Sequence, residues 1–400
     1  MKLNHLDYYR LPWNLTDNSI SWLEPTSKCN LYCDGCYRKN EDNHKPLQLI
    51  EEELNIFTRL RKCDGVSIAG GDPLTHPEII EIVRMVKAKG LKPILNTNGL
   101  ALTKELLLEL KKAGVYGFTF HVDSKQSRPG WKNKTETELN ELRYQFASML
   151  AEAGNISCAF NSTVYEDTMQ YVPELVKWGQ KHIDIVQVMV FILYRAVNNA
   201  KVDFYLGPKK IDMGEFVYNE EPIERTDIKA EEIYELIKNE YPDFDSCAYL
   251  NGSEKPDSFK WLLSGRLGTK DKIYGYMGKK SMEIIQTFHH LLFDRYLAYS
   301  TPKMTRKGKS MLLLGFFDKG LKKTFFNFIK NPLNLFKRLH YQSIMIIQPV
   351  DFLEDGRQSM CDGCPDITVW NGQLVWSCRM EEQLKYGHNI RSFPKDLIKS

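Results

Sequence analysis

The stretch Glu24-Pro-Thr-Ser-Lys-Cys-Asn-Leu-Tyr-Cys-Asp-Gly-Cys-Tyr-Arg-Lys39 sets Cys29, Cys33 and Cys36 at C-x3-C-x2-C spacing, just after a short apolar run. Three thiolates on one loop can hold three irons of a four-iron cluster and leave the fourth iron without a protein ligand, as a cluster needs if it is to bind a small molecule directly. An open iron implies catalysis. Zinc suits the triplet poorly, because a structural zinc takes four ligands and the nearest imidazole, His44, lies eight residues past Cys36 across a charged loop. A disulfide framework suits it less. Nine scattered cysteines in 400 residues lack the dense, even pattern of stapled secreted domains, and a chain of this length buries its own core.

Working outward, residues 19–195 alternate β-rich runs with helical patterns, which is the rhythm of repeated βα units on a parallel sheet. Strands are expected at 19–24, 64–69, 92–96, 117–122, 157–164 and 185–191. The helix near Thr75 carries a capping-box pattern with Glu78 and a stop at Gly90, and Thr103 opens another helix that ends at Gly114. Six parallel strands could form an open doubly wound sheet or a partial barrel, and both place chemistry at the carboxyl ends of the strands.

The cysteine loop after the first strand resembles that of the radical S-adenosylmethionine (radical SAM) superfamily. The resemblance covers residues 19–195 and implies a partial (β/α)6 barrel. It further implies a [4Fe-4S] cluster on Cys29, Cys33 and Cys36 that binds S-adenosylmethionine. Reduced flavodoxin or ferredoxin would donate an electron, and the sulfonium would split into methionine and a 5′-deoxyadenosyl radical. After the second strand, Ile68-Ala-Gly-Gly-Asp-Pro73 resembles the family's Gly-Gly-Glu segment, which implies that Gly70, Gly71 and Asp72 meet the methionine ammonium. Asp is a methylene shorter than Glu, so backbone carbonyls would share that contact. The same residues are also good turn chemistry.

The third strand ends in Leu95-Asn-Thr-Asn-Gly99 and the fourth in Phe118-Thr-Phe-His-Val-Asp-Ser124, which makes Asn96, Asn98, Asp123 and Ser124 cofactor-binding candidates, with capping or turn roles as the competing reading. On the fifth strand Asn161 resembles a cofactor-contacting asparagine. His121 reads as a hydrogen-bonded core or pocket residue. The position before the third cysteine, often aromatic in the family, is Gly35, so Tyr37 becomes the candidate for stacking on adenine.

A second cysteine set lies in Met360-Cys-Asp-Gly-Cys-Pro-Asp366 and at Cys378, with Asn371-Gly372 as a hairpin turn between them. Cys361, Cys364 and Cys378 suit an auxiliary iron-sulfur cluster, with zinc as the lesser alternative, and His388, Cys247 or an aspartate would supply a fourth ligand. Only three cysteines follow residue 350, too few for the seven-cysteine SPASM pattern. Cys63 and Cys158 read as small buried hydrophobes.

Composition bounds the rest. With 42% apolar and 12% aromatic residues the chain should fill well-packed cores. No signal-peptide run and no stretch of eighteen apolar residues occurs, so a cytoplasmic location is expected. Net charge is +3, yet between Lys303 and Arg338 stand ten Lys or Arg residues and one acid, Asp318; this segment carries +9 and the remainder −6. Large apolar groups alternate there with lysines at helical spacing, with Pro332 dividing two short helices. A helix of that kind lies on anionic lipid or packs on the barrel. Peripheral attachment to the inner face of a membrane follows from the first alternative, and no nucleic-acid module is present. The expected units are a barrel core at 1–195, a mixed, mostly helical substrate-facing insertion at 196–302, a basic amphipathic segment at 303–350 and a cysteine-rich metal region at 351–400. The paired His289 and His290 point to different helix faces and suit packing or surface roles. The function expected is hydrogen abstraction from an unactivated carbon of a lipid or membrane-associated substrate; the alternatives are a ribosomal-peptide maturase and a non-catalytic scaffold or redox sensor.

Overall fold

A computed structural model describes residues 3–195, 202–212, 225, 227–353, 355 and 357–395. Six parallel strands, β1 (Ile20–Thr26), β2 (Gly65–Gly70), β3 (Lys92–Thr97), β4 (Gly117–His121), β5 (Ser157–Val164) and β6 (Val188–Leu193), pair in chain order. The crossovers carry α1 (Leu47–Leu60), α2 (Ile79–Ala88), α3 (Lys104–Ala113), α4 (Asn140–Ala153) and α5 (Val172–Lys181). The period-two alternation of the strands sorts their two faces. On β4, Phe118 and Phe120 join the core shared with Leu107, Leu110 and Phe146 of the helices, while Thr119 between them lines a cavity inside the barrel. On β2, Val66 and Ile68 go to the helices and Ser67 to the cavity.

Local signals decide the helix ends. Thr103 Oγ1 accepts from Leu106 N at 3.1 Å and Gly114 closes α3 with φ 101°. The capping box expected at Thr75 and Glu78 does not form. Thr75 Oγ1 donates to Asp72 O and Lys28 O, Asp72 caps the 3-10 turn Pro73–Thr75, and α2 begins at Ile79 without a side-chain cap. The cysteine loop's backbone has drawn the Thr75 hydroxyl away from the helix.

The sheet continues past β6. The region beyond residue 195, expected to be mostly helical, also supplies strands: β7 (Ala248–Leu250), β8 (Trp261–Gly268), β9 (Ile273–Tyr276) and β10 (His340–Ile347), besides α6 (Ala230–Glu240), α7 (Lys279–Phe293) and α8 (Lys319–Ile329). Of that region, residues 196–201, 213–224, 226, 354, 356 and 396–400 lie outside the described residues. β10 runs parallel to β6, β8 antiparallel to β10, β7 antiparallel to β8, and Tyr9–Arg10 parallel to β7. An exposed edge of the apolar strand β6 would be a template for aggregation, and β10 covers it. One sheet thus crosses the sequence boundaries expected at 195 and 302.

Two features close this curved sheet. At its base, where the barrel strands begin, residues 297–300 cross beneath: Ala298 N donates to Asp64 Oδ2 at 3.0 Å, and Lys92 Nζ and Tyr116 Oη donate to Tyr299 O. At its side, the turn at residues 361–365 joins the two ends of the sheet. Asp362 N donates to Asn251 O next to β7, while Asn18 Nδ2 and Arg61 Nη2 near β1 donate to the carbonyls of Gly363 and Cys364. Among the described residues no helix is long and apolar enough to cross a membrane.

Candidate active site

The cysteine loop leaves the carboxyl end of β1 and is held on two sides by backbone hydrogen bonds. Toward β2, Gly71 N donates to Thr26 O and Asp72 N to Lys28 O, both at 2.8 Å. A Cβ on Gly71 would stand 2.2 Å from Lys28 O, and one on Gly70 (φ +103°) 2.2 Å from Thr26 O. The close approach that the two glycines permit is therefore taken up by the cysteine loop itself. Toward β4, Asp34 N donates to Lys125 O and Ser127 N to Tyr32 O, which sets Cys33 opposite Gln126. The Asn40 side chain holds Cys29 by its N–H and its carbonyl.

Asp72 differs from expectation. It is 1% exposed and accepts from Leu74 N, Thr97 Oγ1 and Asn98 N at 2.7–2.9 Å, so its carboxylate faces the protein and not a ligand above the loop. Burial raises its pKa against the pull of these donors. Its partner Asn98 does reach the loop: Nδ2 donates to Asn30 Oδ1 at 2.7 Å and lies 3.7 Å from Cys29 Sγ. Asp123, buried beneath Cys33, accepts from Lys125 N and Thr163 N and pairs with His121 Nε2 at 2.8 Å. Burial alone would raise its carboxyl, but these bonds hold it below the ordinary value. His121 also meets Thr163 Oγ1 at 3.0 Å, a pocket hydrogen-bonding role as its strand context suggests.

Ser124 is tied away from the loop, its N–H donating to Glu136 Oε1; Glu136 in turn is gripped by the fully buried Arg143. Tyr37 is half-buried with the Arg38 guanidinium 5.2 Å from its ring, and burial pushes its phenol up. Arg38 pairs with Glu24 at the end of β1. The aromatic groups that do press on the loop at Gly35 are Tyr165 and Tyr194, whose rings meet at 4.9 Å with a 33° tilt; a Cβ on Gly35 would come within 2.6 Å of Tyr194. Sequence reasoning missed this pair, and Gly35 standing where an aromatic is common was the signal for it.

Burial pushes the Cys29 and Cys33 thiols up, with Asp123 adding to the effect at Cys33. Cationic irons would reverse that preference and take the thiolates. Among the described residues no three Cys, His, Asp or Glu side chains stand close enough to hold a single metal ion. The donor chemistry suits a larger group: three thiols on one clamped loop and an amide N–H directed at one sulfur. Among the buried side-chain atoms without a hydrogen-bond partner in the described residues are Asn96 Nδ2 and Arg128 Nε.

A cavity of about 500 Å³ fills the barrel. Asn96 and Asn161 line it, and Asn98, just past the carboxyl end of β3, touches Cys29; the cavity therefore lies on the barrel side of the cysteine loop. Its polar side comes from β2 to β5, and its apolar side from β6, β8 and β10 with Met277, Met282 and Met311.

The second cysteine set sits beside the start of β1, where Arg61 binds the carbonyls of Ile20, Cys364 and Pro365. Cys361 and Cys364 share a hydrogen bond, which lowers the Cys361 thiol and raises that of Cys364, while burial pushes Cys378 up to about 12. Cys378 lies just past the hairpin Ile367–Trp370 and Gln373–Trp376, in the short turn Ser377–Arg379. Of the fourth-ligand candidates, Cys247 is buried and donates to Leu263 O, and His388 is exposed. Asp366 instead faces the barrel cavity, its carboxyl raised to about 7 by burial against the pull of Arg61.

Residues 23–179 match the Radical SAM superfamily profile. The chain is 26% identical over 206 residues to a probable GTP 3′,8-cyclase of Methanocaldococcus jannaschii, covering 50% of this chain and 62% of that protein. It is 24% identical over 181 residues to an AdoMet-dependent heme synthase of Oleidesulfovibrio alaskensis, covering 43% and 46%. The chain thus spans less than two thirds of the length of these relatives. Among solved structures, Streptococcus suis SuiB bound to S-adenosylmethionine aligns over 57% of this chain and 47% of that chain, with TM-score 0.40 and 17% identity. With the cysteine loop, the Gly-Gly-Asp turn, four of the barrel's six strands and part of a fifth inside the matched region, residues 23–179 form a radical SAM domain, that of a superfamily of enzymes.

Proposed function

We propose that this protein abstracts hydrogen from an unactivated carbon of a lipid or membrane-associated substrate held in the barrel cavity. The observation that carries the reading is that cavity inside the barrel, lined by Asn96 two residues before the Asn98 that touches Cys29, on a loop that also bears Cys33 and Cys36. Those cysteines would hold a [4Fe-4S] cluster; with S-adenosylmethionine bound, it supplies reductive cleavage of the sulfonium and a 5′-deoxyadenosyl radical. The chain's own residues place and protect. Asn98 would hold the Cys29 sulfur by an N–H···S contact, and Asn96 Nδ2 offers a free donor to a bound polar group. The walls from β6, β8 and β10 keep water from a reactive carbon centre. The methionine ammonium would meet backbone carbonyls, since Asp72 is engaged inside.

The lipid reading is supported by the surface of the basic segment. Leu313, Phe316, Phe317, Phe326 and Phe336 are all more than half exposed, among lysines. Cys361, Cys364 and Cys378 would carry an auxiliary iron-sulfur cluster, for which iron and sulfide content against zinc is the direct measurement. The functional test is 5′-deoxyadenosine formed by anaerobically reconstituted, reduced protein given a total lipid extract or a lipid-free cell extract. Stimulation by lipid is expected. Stimulation only by the lipid-free extract would replace the lipid with a peptide or metabolite, and no product with full iron would remove the catalytic reading.

A further inference from the structure

At the base of the barrel, opposite the cysteine loop, lies a second pocket of about 430 Å³ lined by Asn155, Pro302, Lys303, Arg306, Lys307 and Arg338. Asn155 belongs to the turn just before β5, so the pocket opens at the amino ends of the strands. The bond from Gly308 N to Leu339 O, at 3.0 Å, brings the Lys307 and Arg338 segments together. None of the four cations forms an ion pair among the described residues, although the protein as a whole pairs its charges widely. Four unpaired cations around one concavity repel one another, and an anion placed there relieves that repulsion.

Lys307 lines both pockets. On its other side it borders the barrel cavity, together with Met304, Ser310 and Met311. The polar pocket and the apolar cavity therefore meet at one residue. The neighbouring surface carries Leu313, 67% exposed, Phe316, 87%, and Phe336, 89%, and Lys309 Nζ ties the last group in by donating to Leu335 O.

We propose that the two pockets form one site for an anionic amphiphile, with a phosphate-bearing headgroup among Lys303, Arg306, Lys307 and Arg338 and a hydrocarbon chain running past Met304 and Met311 into the barrel. This rests on, and narrows, the lipid reading given above. Arg306 and Arg338 offer planar forks suited to phosphate oxygens. Met304 and Met311 are unbranched and adaptable, which suits a flexible chain. The exposed Phe and Leu side chains would seat the base on a bilayer, so the chain would pass from membrane to cavity without crossing water. Its far end would then point at the cysteine loop.

The test uses the full-length protein and the three tryptophans that line the cavity, Trp13, Trp22 and Trp261. Bromine quenches tryptophan on contact, so ω-bromododecyl phosphate and the neutral ω-bromododecanol are titrated separately at fixed salt, with inorganic phosphate as competitor. Saturable quenching is expected, with the phosphate amphiphile binding about tenfold more tightly than the alcohol. Inorganic phosphate alone should not quench, and should displace the bromoalkyl phosphate only weakly. The double variant Lys303→Glu, Arg338→Glu should erase the tenfold preference while leaving alcohol binding and thermal stability unchanged; Lys307→Glu alone should reduce it. Equal affinity for the two amphiphiles, or a preference untouched by charge reversal, overturns the headgroup site. No quenching by either overturns the chain site. Failure of the underlying lipid reading looks different: quenching saturates, yet no lipid stimulates 5′-deoxyadenosine formation. Stimulation by lipid without quenching removes this site and leaves that reading in place.

Discussion

Asp72 Oδ2 accepts the backbone N–H of Asn98 at 2.7 Å, and through that bond a carboxylate at the end of β2 fixes the asparagine that touches Cys29. Leu74 N and Thr97 Oγ1 complete the set of donors. Buried donors left without an acceptor cost far more than an average hydrogen bond contributes. Asp72→Ala should lower unfolding stability by about 3 kcal/mol and reduce the iron retained per chain. Asp72→Asn, which keeps one acceptor oxygen, should fall between. Urea denaturation and iron analysis of the reconstituted variants check this, and an Asp72→Ala protein that is fully stable and fully loaded would show that the brace does nothing for the loop.

The two cysteine sets should separate by mutation. Cys33 lies between the clamps from β2 and β4. Cys33→Ala should abolish cleavage of S-adenosylmethionine. The Cys364 carbonyl is held near the start of β1, whereas the cysteine loop follows its end, a separation of roughly 20 Å along seven residues. Cys364→Ala should therefore lower iron but spare at least part of the amino-terminal cluster. The readouts are iron per chain and 5′-deoxyadenosine, and full cleavage by Cys33→Ala would refute the assignment of the first set.

What the chain reveals in sequence and what it hides follow from range. The strands of residues 19–195 are legible because each is a short apolar or alternating run, as in Phe118-Thr-Phe120 or the run 188–193, between helical patterns, and the cysteine spacing needs no partner to be read. β8 and β10 are hidden because their meaning is their pairing: Ser264 faces Ile344 across 80 residues, and Ser343 faces Val188 across 155. The same limit explains Asp72 and Thr75. In isolation they read as a ligand carboxylate and a helix cap, and only contacts with Thr97, Asn98 and Lys28 turn them inward. The basic pocket joins residues of 302–307 to Arg338 and Asn155, which no local pattern can announce.

Asp351 gives a prediction in pH. It accepts from Arg195 Nε at 3.1 Å, from Gln348 Nε2 at 2.6 Å and from Lys260 Nζ at 2.6 Å, joining the region just past β6 to β8. Burial would raise its carboxyl, but Lys260 and Arg195 bring it below its ordinary value. A carboxyl whose folded pKa lies below its unfolded one adds stability above the unfolded value, about 3.9, and loses it as pH falls through the folded one. Lys260 is fully buried, and with Asp351 neutral its ammonium would be left with neutral acceptors, Pro349 O among them. Asp351→Asn should thus lose about 3 kcal/mol at neutral pH and show a flatter acid limb below about pH 4 than the parent chain. Melting curves from pH 3 to 7 measure both, and parallel acid limbs would remove Asp351 as their source.

Phe316 and Phe336 test the membrane face without touching the cavity. Their side chains are 87% and 89% exposed, so folding gains little from them, and replacing either with Glu should leave stability within about 0.5 kcal/mol. At a bilayer their value changes sign. Each would bury an aromatic ring in the headgroup region, while the surrounding lysines meet anionic lipid and lose strength as salt screens them. The parent chain should sediment with phosphatidylserine-containing vesicles more than with phosphatidylcholine vesicles, and less at high salt. Phe316→Glu with Phe336→Glu should weaken that binding by about tenfold at unchanged melting temperature. Vesicle binding that survives both substitutions would move the contact elsewhere on the surface, where Phe288, Leu291 and Leu292 near the end of α7 are the next exposed apolar group to replace.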